Sequence, residues 1–250
     1  MEKRKPLPVE AVLIRKKQLT HDVFEFHFEP KTSFDFDPGQ FISIIVPGAG
    51  PGGRDLRRAY SIASEPGRKQ SNKTILELCV KIVEGGPGTQ YLNSLAIGES
   101  IKGVAPYGDF IYKTKPNKHV IFVSTGTGIA PFRAMIYSQH YADHKPLSTT
   151  LLFGAREVKD LLYSEELDPV LGKQSFVKNL SKTKENFDGF RGRVTDWLRH
   201  HSEKIHWKET DFYLCGNGAM IDEVKRILLE NEVEKTSIHQ EVYYKPKAGS

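Results

Sequence analysis

Two short motifs in this chain contain the residue types that bind phosphate groups. Arg58, Tyr60 and Ser61 form a polar R-x-Y-S tetrad at the end of a β-rich segment. Gly126–Pro131, within the run Ser-Thr-Gly-Thr-Gly-Ile-Ala-Pro, forms a glycine-rich turn between an apolar strand and a helix. A permanently charged guanidinium and the N–H groups at a helix start both favour an anion. Each motif is common by itself, so only their order and spacing in the chain indicate a function.

The glycine-rich turn has a specific physical logic. Gly126 and Gly128 permit a close backbone approach that a side chain would block, and Pro131 suits the first position of a helix, where an N–H is dispensable. A pyrophosphate beyond the carboxyl end of the strand would fit this field. The alternative is a tight turn without a ligand. The turn lacks the G-x-G-x-x-G pattern, so it does not indicate a standard NAD dehydrogenase.

The first part of the chain, which must position the R-x-Y-S tetrad, consists mainly of predicted strands. Runs rich in Val, Ile, Phe and Tyr are separated by Pro-Gly turns, and they predict a six-stranded antiparallel β-barrel. One helix is expected at Gln90–Ala96, with Thr89 as its N-cap. The predicted strands are Val9–Lys16, Asp22–Glu29, Gln40–Val46, Arg58–Ala63, Thr74–Val83 and Glu99–Val104.

After a polar linker at Lys113–Lys118 the pattern changes to alternating strands and helices. Such alternation predicts a doubly wound α/β domain with a parallel sheet. We therefore place one domain at residues 1–114 and the second at 115–250. The predicted elements are strands at His119–Ser124, Thr149–Gly154, Phe176–Leu180, Asp211–Cys215 and Ile238–Tyr243, and helices at Phe132–Tyr141, Ser164–Leu171, Val194–His201 and Ala219–Asn231.

Composition limits the function classes. No apolar run approaches the ~18 residues of a membrane span, and the charged N-terminus has no following apolar segment, so we expect a cytoplasmic protein. Cys79 and Cys215 are the only cysteines, which fits a reducing compartment and excludes a four-cysteine iron–sulfur cluster within this chain. The net charge of +5 is scattered along the sequence, which argues against nucleic-acid binding. It fits a solvated surface or docking to an acidic electron-transfer partner.

Five motifs in register make the chain resemble the ferredoxin–NADP reductase family, of the plant and bacterial type without a fused iron–sulfur domain. The family pairs a flavin-binding barrel with a nucleotide-binding α/β domain in this order. The matching segments are Arg58-x-Tyr60-Ser61, Gly86-x-Gly88-Thr89, Gly126–Pro131, Cys215-Gly216 and Glu241-Val242-Tyr243.

The resemblance implies FAD, favoured over FMN, in the barrel. Arg58 would neutralise a flavin phosphate, Tyr60 would lie along the isoalloxazine or ribityl chain, and Ser61 would hydrogen-bond near flavin N5. For each, the alternative is an ordinary strand residue or a surface salt bridge.

The second flavin segment would bind through a helix start. Gly86, Gly88 and Thr89 would present the N-terminus of the following helix to the flavin pyrophosphate; the alternative is an ordinary capped helix. Lys81 matches a position of the family's flavin domain, although a solvent-facing lysine on a strand explains it equally well.

The resemblance also implies a nicotinamide site. Gly126, Thr127, Gly128, Pro131 and Gly216 would bind the dinucleotide. Cys215 would lie close to nicotinamide C4 and shape the hydride-transfer geometry, the alternative being a buried core cysteine.

The carboxyl-terminal motif completes that implied site. Glu241 would hydrogen-bond around Ser61 and Cys215, and Tyr243 would stack on the flavin until nicotinamide displaces it. Plant-type members end at that tyrosine, whereas residues 244–250 follow here, so Tyr244 remains an alternative stacking ring.

Three cations follow predicted strands, and the resemblance implies that they lie near the ribose 2′-phosphate, since NADP-using relatives often carry Ser-Arg after the strand that corresponds to Phe176–Leu180. Ser181 and Lys182 follow Phe176–Leu180, and Arg156 and Arg193 have similar placements. A site for NAD would more often have an acidic residue in place of Ser181. This pattern favours NADP, although lysine lacks the bidentate recognition of arginine.

These observations predict an oxidoreductase that passes hydride between NADPH and FAD and exchanges single electrons with ferredoxin or flavodoxin. The alternatives are an NADH-dependent reductase that supplies an oxygenase, cytochrome or other acceptor, and a flavin-binding regulatory subunit without turnover. We expect a monomer and no metal site. The pair His140 and His144 lacks a catalytic glutamate, and His200, His201 and His206 form no coherent ligand set.

Overall fold

The computed structural model describes residues 4–70 and 73–244. The chain divides into two compact units. Unit 1 contains the residues up to Tyr112 together with Ala130–Gln139, and unit 2 contains Lys113–Ile129 and the residues from His140 onward. Within the described ranges, no helix has the length and apolar character needed to cross a membrane.

Unit 1 is built on a six-stranded antiparallel sheet in the order β4-β3-β8-β1-β2-β7. The two edge strands meet just beyond β4, where Ile62 forms an isolated bridge to Leu78, so the curled sheet has the predicted barrel architecture. A separate two-stranded hairpin consists of β5 and β6. The elements are β1 (Leu7–Gln18), β2 (Val23–Pro30), β3 (Phe41–Val46), β4 (Leu56–Ser61), β5 (Lys69–Gln70), β6 (Lys73–Thr74), β7 (Leu76–Lys81), α1 (Pro87–Ser94) and β8 (Ser100–Tyr107).

Alternation of side chains explains how the sheet forms its core. In β3, Ile42, Ile44 and Val46 are buried while the residues between them are only half-buried, as expected for a strand with one face on a core. Phe26, Phe28 and Leu78 pack in the same cluster. This core holds β4 by its pairing with β3, in which Tyr60 lies opposite Ile42.

Helix α1 begins earlier than the sequence predicts. Gly86 is the N-cap and Pro87 is the first helical residue, because proline has a fixed φ suited to that position and no N–H to leave unpaired. Thr89 is therefore inside the first turn, and the prediction that it is the N-cap is wrong. Its hydroxyl instead lies 3.1 Å from the carbonyl oxygen of Gly86 and accepts from the N–H of Val83 at 3.1 Å.

The elements that follow Lys113 alternate between strands and helices, as predicted. Two helices replace the single helix predicted at Phe132–Tyr141, and the break lies at Ser138, whose hydroxyl donates to the carbonyl of Met135 at 2.6 Å. The elements are β9 (His119–Thr125), α2 (Ala130–Tyr137), α3 (Gln139–Asp143), β10 (Ser148–Ala155), α4 (Ser164–Leu171), β11 (Phe176–Leu180), β12 (Phe190–Arg191), α5 (Val194–His200), β13 (Thr210–Asn217), α6 (Gly218–Glu230) and β14 (Ile238–Tyr244).

The sheet of unit 2 is parallel throughout, in the order β12-β11-β10-β9-β13-β14. Its central strand β9 is buried from Val120 to Ser124, which matches the near-continuous apolar run that a parallel strand requires. Strand order reverses between β9 and β13. Such a switch point leaves a crevice beyond the carboxyl ends of the two strands, where α/β sheets bind ligands.

Candidate functional site

Strand β4 presents Arg58 and Tyr60 of the R-x-Y-S tetrad to one face of unit 1. Arg58 and Tyr60 share that face because side chains alternate along a strand, and Arg57 lies on the other. Arg58 is exposed, and its Nη1 donates only to the carbonyl oxygen of Arg57, at 2.9 Å. No carboxylate pairs with it among the described residues, which leaves its positive charge for an anion.

Gly88 lets the start of α1 approach this face closely. A Cβ atom at Gly88 would stand 2.5 Å from the hydroxyl of Tyr60 and 2.7 Å from Cγ of Arg58. Burial raises the pKa of Tyr60 to about 12, although the charge of Arg58 opposes the shift. The phenol therefore stays protonated at neutral pH and can donate a hydrogen bond.

The first turn of α1 is open to an anion. Its N-cap, Gly86, has no side chain to accept from the first N–H groups, and the hydroxyl of Thr89 is directed to other partners. Uncapped N–H groups carry the positive end of the helix dipole. Together with Arg58, whose Cγ would stand 2.7 Å from a Cβ atom at Gly88, these N–H groups form an anion cradle on this face.

The two other flavin candidates of unit 1 have different surroundings. Ser61 ends β4 and is 7% exposed. Lys81 is exposed, and its Nζ lies 2.7 Å from the carboxylate of Asp22. Burial raises the pKa of Asp22 but the ion pair with Lys81 outweighs it, and the net pKa is lowered. The structure thus gives Lys81 the ion pair expected of a solvent-facing strand residue.

At the switch point of unit 2, the glycine-rich turn contacts the end of β13. A Cβ atom at Gly128 would overlap the carbonyl oxygen of Cys215 and lie 2.7 Å from its carbonyl carbon. One at Gly216 would lie 2.8 Å from the carbonyl oxygen of Thr125. Glycine is required at both positions because rigid backbone atoms fill the space that a side chain would need.

The outer side of the same turn is open. Gly126 is exposed and has φ of +54°, and no atom of the described residues lies within 4 Å of where its Cβ would be. Thr127 is half-buried. Pro131 is the second residue of α2 and not the first as predicted, because the helix begins at Ala130, directly after a 3-10 turn at Gly126–Ile129. Open space beside a glycine at the carboxyl end of a strand fits the phosphates of a dinucleotide.

Cys215 lies inside the sheet with its thiol protonated. It pairs with Ser124 of β9 and Glu241 of β14. Complete burial raises the pKa of its thiol well above the ordinary value, the charge of Glu241 raises it further, and a hydrogen bond with the side chain of Tyr243 opposes both. A neutral thiol is a weak nucleophile, so the position suits shaping a site rather than covalent chemistry.

Tyr243 occupies an irregular position in β14. Val242 pairs with Gly216 and Tyr244 pairs with Asn217, so Tyr243 is the additional residue of a bulge, and it is 39% exposed. Bulges redirect side chains, and this one directs Tyr243 to the thiol of Cys215. The prediction that Tyr244 is the alternative stacking ring concerns a side chain outside the described part of the structure. Residues 245–250 also lie outside it.

The predicted cations gather beyond three neighbouring strands. Lys182 donates its backbone N–H to the carbonyl of Arg156 at 2.9 Å, and Ser181 does so to Ala155 at 3.1 Å. Gly192 bonds to the carbonyl of Leu180, which places the next residue, Arg193, at the same edge. Since these are the carboxyl ends of β10, β11 and β12, the structure brings Arg156, Ser181, Lys182 and Arg193 to one edge.

Sequence reasoning missed two residues that organise this edge. Arg191 donates to the carbonyls of Thr183 and Glu185 at 3.0 and 2.7 Å and so shapes the loop after Lys182. Thr125 accepts from the N–H of Asn217 at 3.2 Å and joins the ends of β9 and β13. In the sequence, Arg191 directly precedes Gly192 and Thr125 directly precedes Gly126. This adjacency to a glycine was the signal that could have identified both residues.

Two family models match most of the chain. An oxidoreductase FAD-binding domain matches residues 10–112, the span that holds the Arg58 and Gly88 cradle. An oxidoreductase NAD-binding domain matches residues 122–226, the span that holds the switch point and the cations.

Individual proteins agree with these models. The chain is 30% identical to ferredoxin–NADP reductase B of Sorangium cellulosum, over 94% of this chain and 98% of that protein. It is 27% identical to the reductase component DmpP of phenol 2-monooxygenase from a Pseudomonas strain, over 97% of this chain and 68% of that protein.

Solved structures share the fold. A ferredoxin NADP+ reductase from Neisseria gonorrhoeae with bound FAD and NADP has a TM-score of 0.79 at 21% identity, over 97% of this chain and 100% of that chain. The FAD/NAD-binding domain of a Vibrio cholerae nitric oxide dioxygenase has a TM-score of 0.77 at 26% identity, over 95% and 99%. With both domain models matched in order and a relative aligned over nearly its whole length, the chain belongs to the ferredoxin–NADP reductase family of FAD- and NAD(P)-binding oxidoreductases.

Proposed function

We propose that this protein transfers hydride between NADPH and FAD and exchanges single electrons with an acidic carrier of the ferredoxin or flavodoxin type. The observation that carries the choice of NADPH is the set of cations beyond β10, β11 and β12. The alignment with ferredoxin–NADP reductase B, which spans 98% of that protein, supports the choice of acceptor. Bound flavin would supply the chemistry, because it accepts a hydride and releases electrons singly.

The flavin site is assigned to β4 and α1. Arg58 neutralises phosphate charge, the first N–H groups of α1 donate to the same group, and the protonated hydroxyl of Tyr60 donates beside them. Ser61, nearly buried at the end of β4, is assigned to a hydrogen bond near flavin N5. Lys81 is the weakest of these assignments, since Asp22 already pairs with it.

The nicotinamide site is assigned to the switch point of unit 2. Gly126–Gly128 and Gly216 receive the dinucleotide with backbone groups, and Cys215 orients the nicotinamide as a neutral thiol. Glu241 faces Cys215 across the β13–β14 pairing. The hydrogen bond of Tyr243 to that thiol gives the aromatic residue a resting position that an entering nicotinamide would displace.

Preference for NADPH follows from the charges around Ser181. Lys182 and Arg156 are held together by the backbone bond between them, and Arg193 is exposed at the same edge. Glu157 is an acidic residue close enough to feel the charges of Lys182 and Arg156. Its pKa is lowered first by the hydrogen bond from Lys159, at 2.7 Å, and also by the charges of Lys182 and Arg156. Its carboxylate is therefore paired with Lys159, and the cations face solvent.

A second candidate function is an NADH-dependent reductase that supplies electrons to an oxygenase. The observation in its favour is the alignment with DmpP, named as a reductase component of phenol 2-monooxygenase, over 97% of this chain. The two functions differ in the dinucleotide they use, so the same measurement separates them.

The test is anaerobic reduction of the flavin, followed by absorbance, with NADPH and with NADH. We expect faster reduction by NADPH. In Lys182→Ala and Arg193→Ala, the Michaelis constant for NADPH should rise by about tenfold or more while that for NADH stays constant, because each removes a charge-assisted contact of ~1.5–3 kcal/mol.

Lys204→Ala is the matched control, an exposed lysine in the Ser202–Lys204 turn, and it should leave both constants unchanged. Faster reduction by NADH, or equal effects of Lys182→Ala on the two dinucleotides, would refute the NADPH assignment. Reduction of added ferredoxin or flavodoxin by the NADPH-reduced protein then tests the acceptor.

A further inference from the structure

A cluster of metal-ligating side chains lies at the amino ends of the strands in unit 2. His119 is the first residue of β9. His206 directly precedes the short turn Trp207–Glu209 before β13, and Glu209 ends that turn. Each offers one ligand atom, and these atoms lie within 4.8 Å of one another. The flavin and dinucleotide assignments use none of them, and the sequence spacing alone predicts no ligand set here.

Strand pairing explains how residues so distant in sequence meet. His119 pairs with Thr210 of β13 on one side and with Ser148 of β10 on the other. Because Thr210 directly follows Glu209, the pairing brings the turn to His119. The imidazole rings of His119 and His206 stack, with centroids 4.8 Å apart and planes 11° apart.

Hydrogen bonds hold the turn that carries two of the three ligands. The carbonyl of His206 accepts from the hydroxyl of Thr210 at 2.7 Å and from the N–H of Glu209 at 2.9 Å. The indole of Trp207 donates to the carbonyl of Ser202 at 3.0 Å. The turn is therefore fixed on its backbone side, while the side chains of His206 and Glu209 remain exposed and able to rotate onto an ion.

Ser148 orients the third ligand. Its hydroxyl lies 2.7 Å from Nδ1 of His119, which leaves Nε2 as the nitrogen available to a metal. Metal-binding histidines usually have their second nitrogen held in this way. The neighbouring ammonium of Lys118 is directed to Asp211 and Ser237, each at 2.8 Å, so its charge is compensated.

We propose that His119, His206 and Glu209 form a surface site for a divalent transition metal, with Zn²⁺ as the natural occupant and water as the fourth ligand. Two imidazoles and one carboxylate are a known zinc ligand set, whereas Mg²⁺ and Ca²⁺ require mainly oxygen ligands. The bound ion would link the start of β9 to the turn before β13. It would therefore stabilise unit 2 at the edge opposite the dinucleotide site and take no part in hydride transfer.

The test is titration of the FAD-bound full chain with Zn²⁺ by calorimetry, together with the thermal midpoint of unfolding. The wild-type protein should bind one Zn²⁺ ion at this site, and excess Zn²⁺ should raise the midpoint. His206→Ala and Glu209→Gln should each weaken binding by about tenfold or more and abolish that increase, and Ser148→Ala should weaken it by about tenfold because it loosens His119.

His140→Ala is the control. The rings of His140 and His144 lie 4.4 Å apart, so this pair is another place where two histidines could bind Zn²⁺. His140→Ala should change neither measurement. Electron paramagnetic resonance of bound Cu²⁺ should show two imidazole nitrogens, reduced to one in His206→Ala. Wild-type binding no tighter than that of His206→Ala, or binding lost in His140→Ala instead, would overturn the proposal. Flavin reduction by NADPH should be unchanged in His206→Ala, so this result is independent of the proposed redox function.

Discussion

Two ion pairs, one from each unit, differ in burial, and the two units also differ in which atoms they present to an anion. Unit 1 buries an ion pair, Glu77 with Arg133, at 2.6 Å and with both side chains at most 3% exposed. Unit 2 has pairs such as Lys208 with Glu232, more than 70% exposed on both sides. The anion cradle of unit 1 combines the side chain of Arg58 with backbone N–H groups, whereas the glycine-rich turn of unit 2 presents backbone. We therefore expect the burial of the substituted residue and the rigidity of the atoms around it to decide how much each substitution lowers the free energy of unfolding.

The largest effect is expected when the buried pair of unit 1 is broken. Arg133→Met leaves the carboxylate of Glu77 buried, although Arg68 still contacts it at 2.9 Å. The loss in the free energy of unfolding should be about 3 kcal/mol, the lower end for a broken buried pair. Denaturant unfolding, followed by circular dichroism and flavin fluorescence, measures it.

The exposed pair of unit 2 supplies the control. Lys208→Met should leave the unfolding curve unchanged, because exposed pairs contribute little. Equal losses in Arg133→Met and Lys208→Met would remove the contrast between the two units.

The next effect compares one glycine from each unit. In Gly128→Ala the new methyl meets the backbone carbonyl of Cys215, which cannot move without disturbing β13. In Gly88→Ala it meets the side chains of Tyr60 and Arg58, which can shift. We expect losses of about 3 kcal/mol for Gly128→Ala and about 1 kcal/mol for Gly88→Ala, the two ends of the range for overpacking. A larger loss in Gly88→Ala would reverse the argument.

A smaller effect should come from the charge of the anion cradle. Arg58→Ala should weaken FAD binding by roughly 10- to 100-fold, as expected for one hydrogen bond to a charged group. Arg57→Ala, which replaces another exposed arginine on the opposite face of β4, should retain wild-type affinity. Fluorescence titration of the apoprotein with FAD distinguishes them, and equal losses would show a diffuse charge effect instead of a cradle.

The smallest effect concerns the thiol at the switch point. The pKa of Cys215 is raised in the folded protein by burial and then by Glu241, whereas an unfolded cysteine ionises near pH 8.5. Below about pH 8.5 the thiol is protonated in both states, so its contribution to the free energy of unfolding is fully present. Above that pH only the unfolded state releases the proton, and the free energy of unfolding falls by up to about 1.4 kcal/mol per pH unit. Unfolding measured between pH 7 and pH 10 should show a shallower decline in Cys215→Ala. Parallel curves for the two proteins would contradict the shift.

Local sequence signals predicted the elements of the molecule well. Ser164–Leu171 and Phe176–Leu180 have the predicted bounds, because their periodicity and the glycine between them are local properties. The prediction that Thr89 is an N-cap was wrong because the sequence contains two local signals for a helix start, Thr89 and Pro87. The helix begins at Pro87. Strand β12 was not predicted because two residues are too few to show an alternating pattern of hydrophobic side chains. Only its pairing with β11 defines it as a strand.

The sequence by itself determined the family and the two architectures, because motif order and periodicity are properties of the chain, and it predicted the residues of both candidate sites. The tertiary structure alone decided which of these residues meet. Sheet order places Gly128 against Cys215, the bulge in β14 directs Tyr243 to that thiol, and the pairing of β9 with β13 brings His119 to His206 and Glu209. The physical reason is that strand pairing joins segments far apart in sequence, and no local pattern records which strands become neighbours.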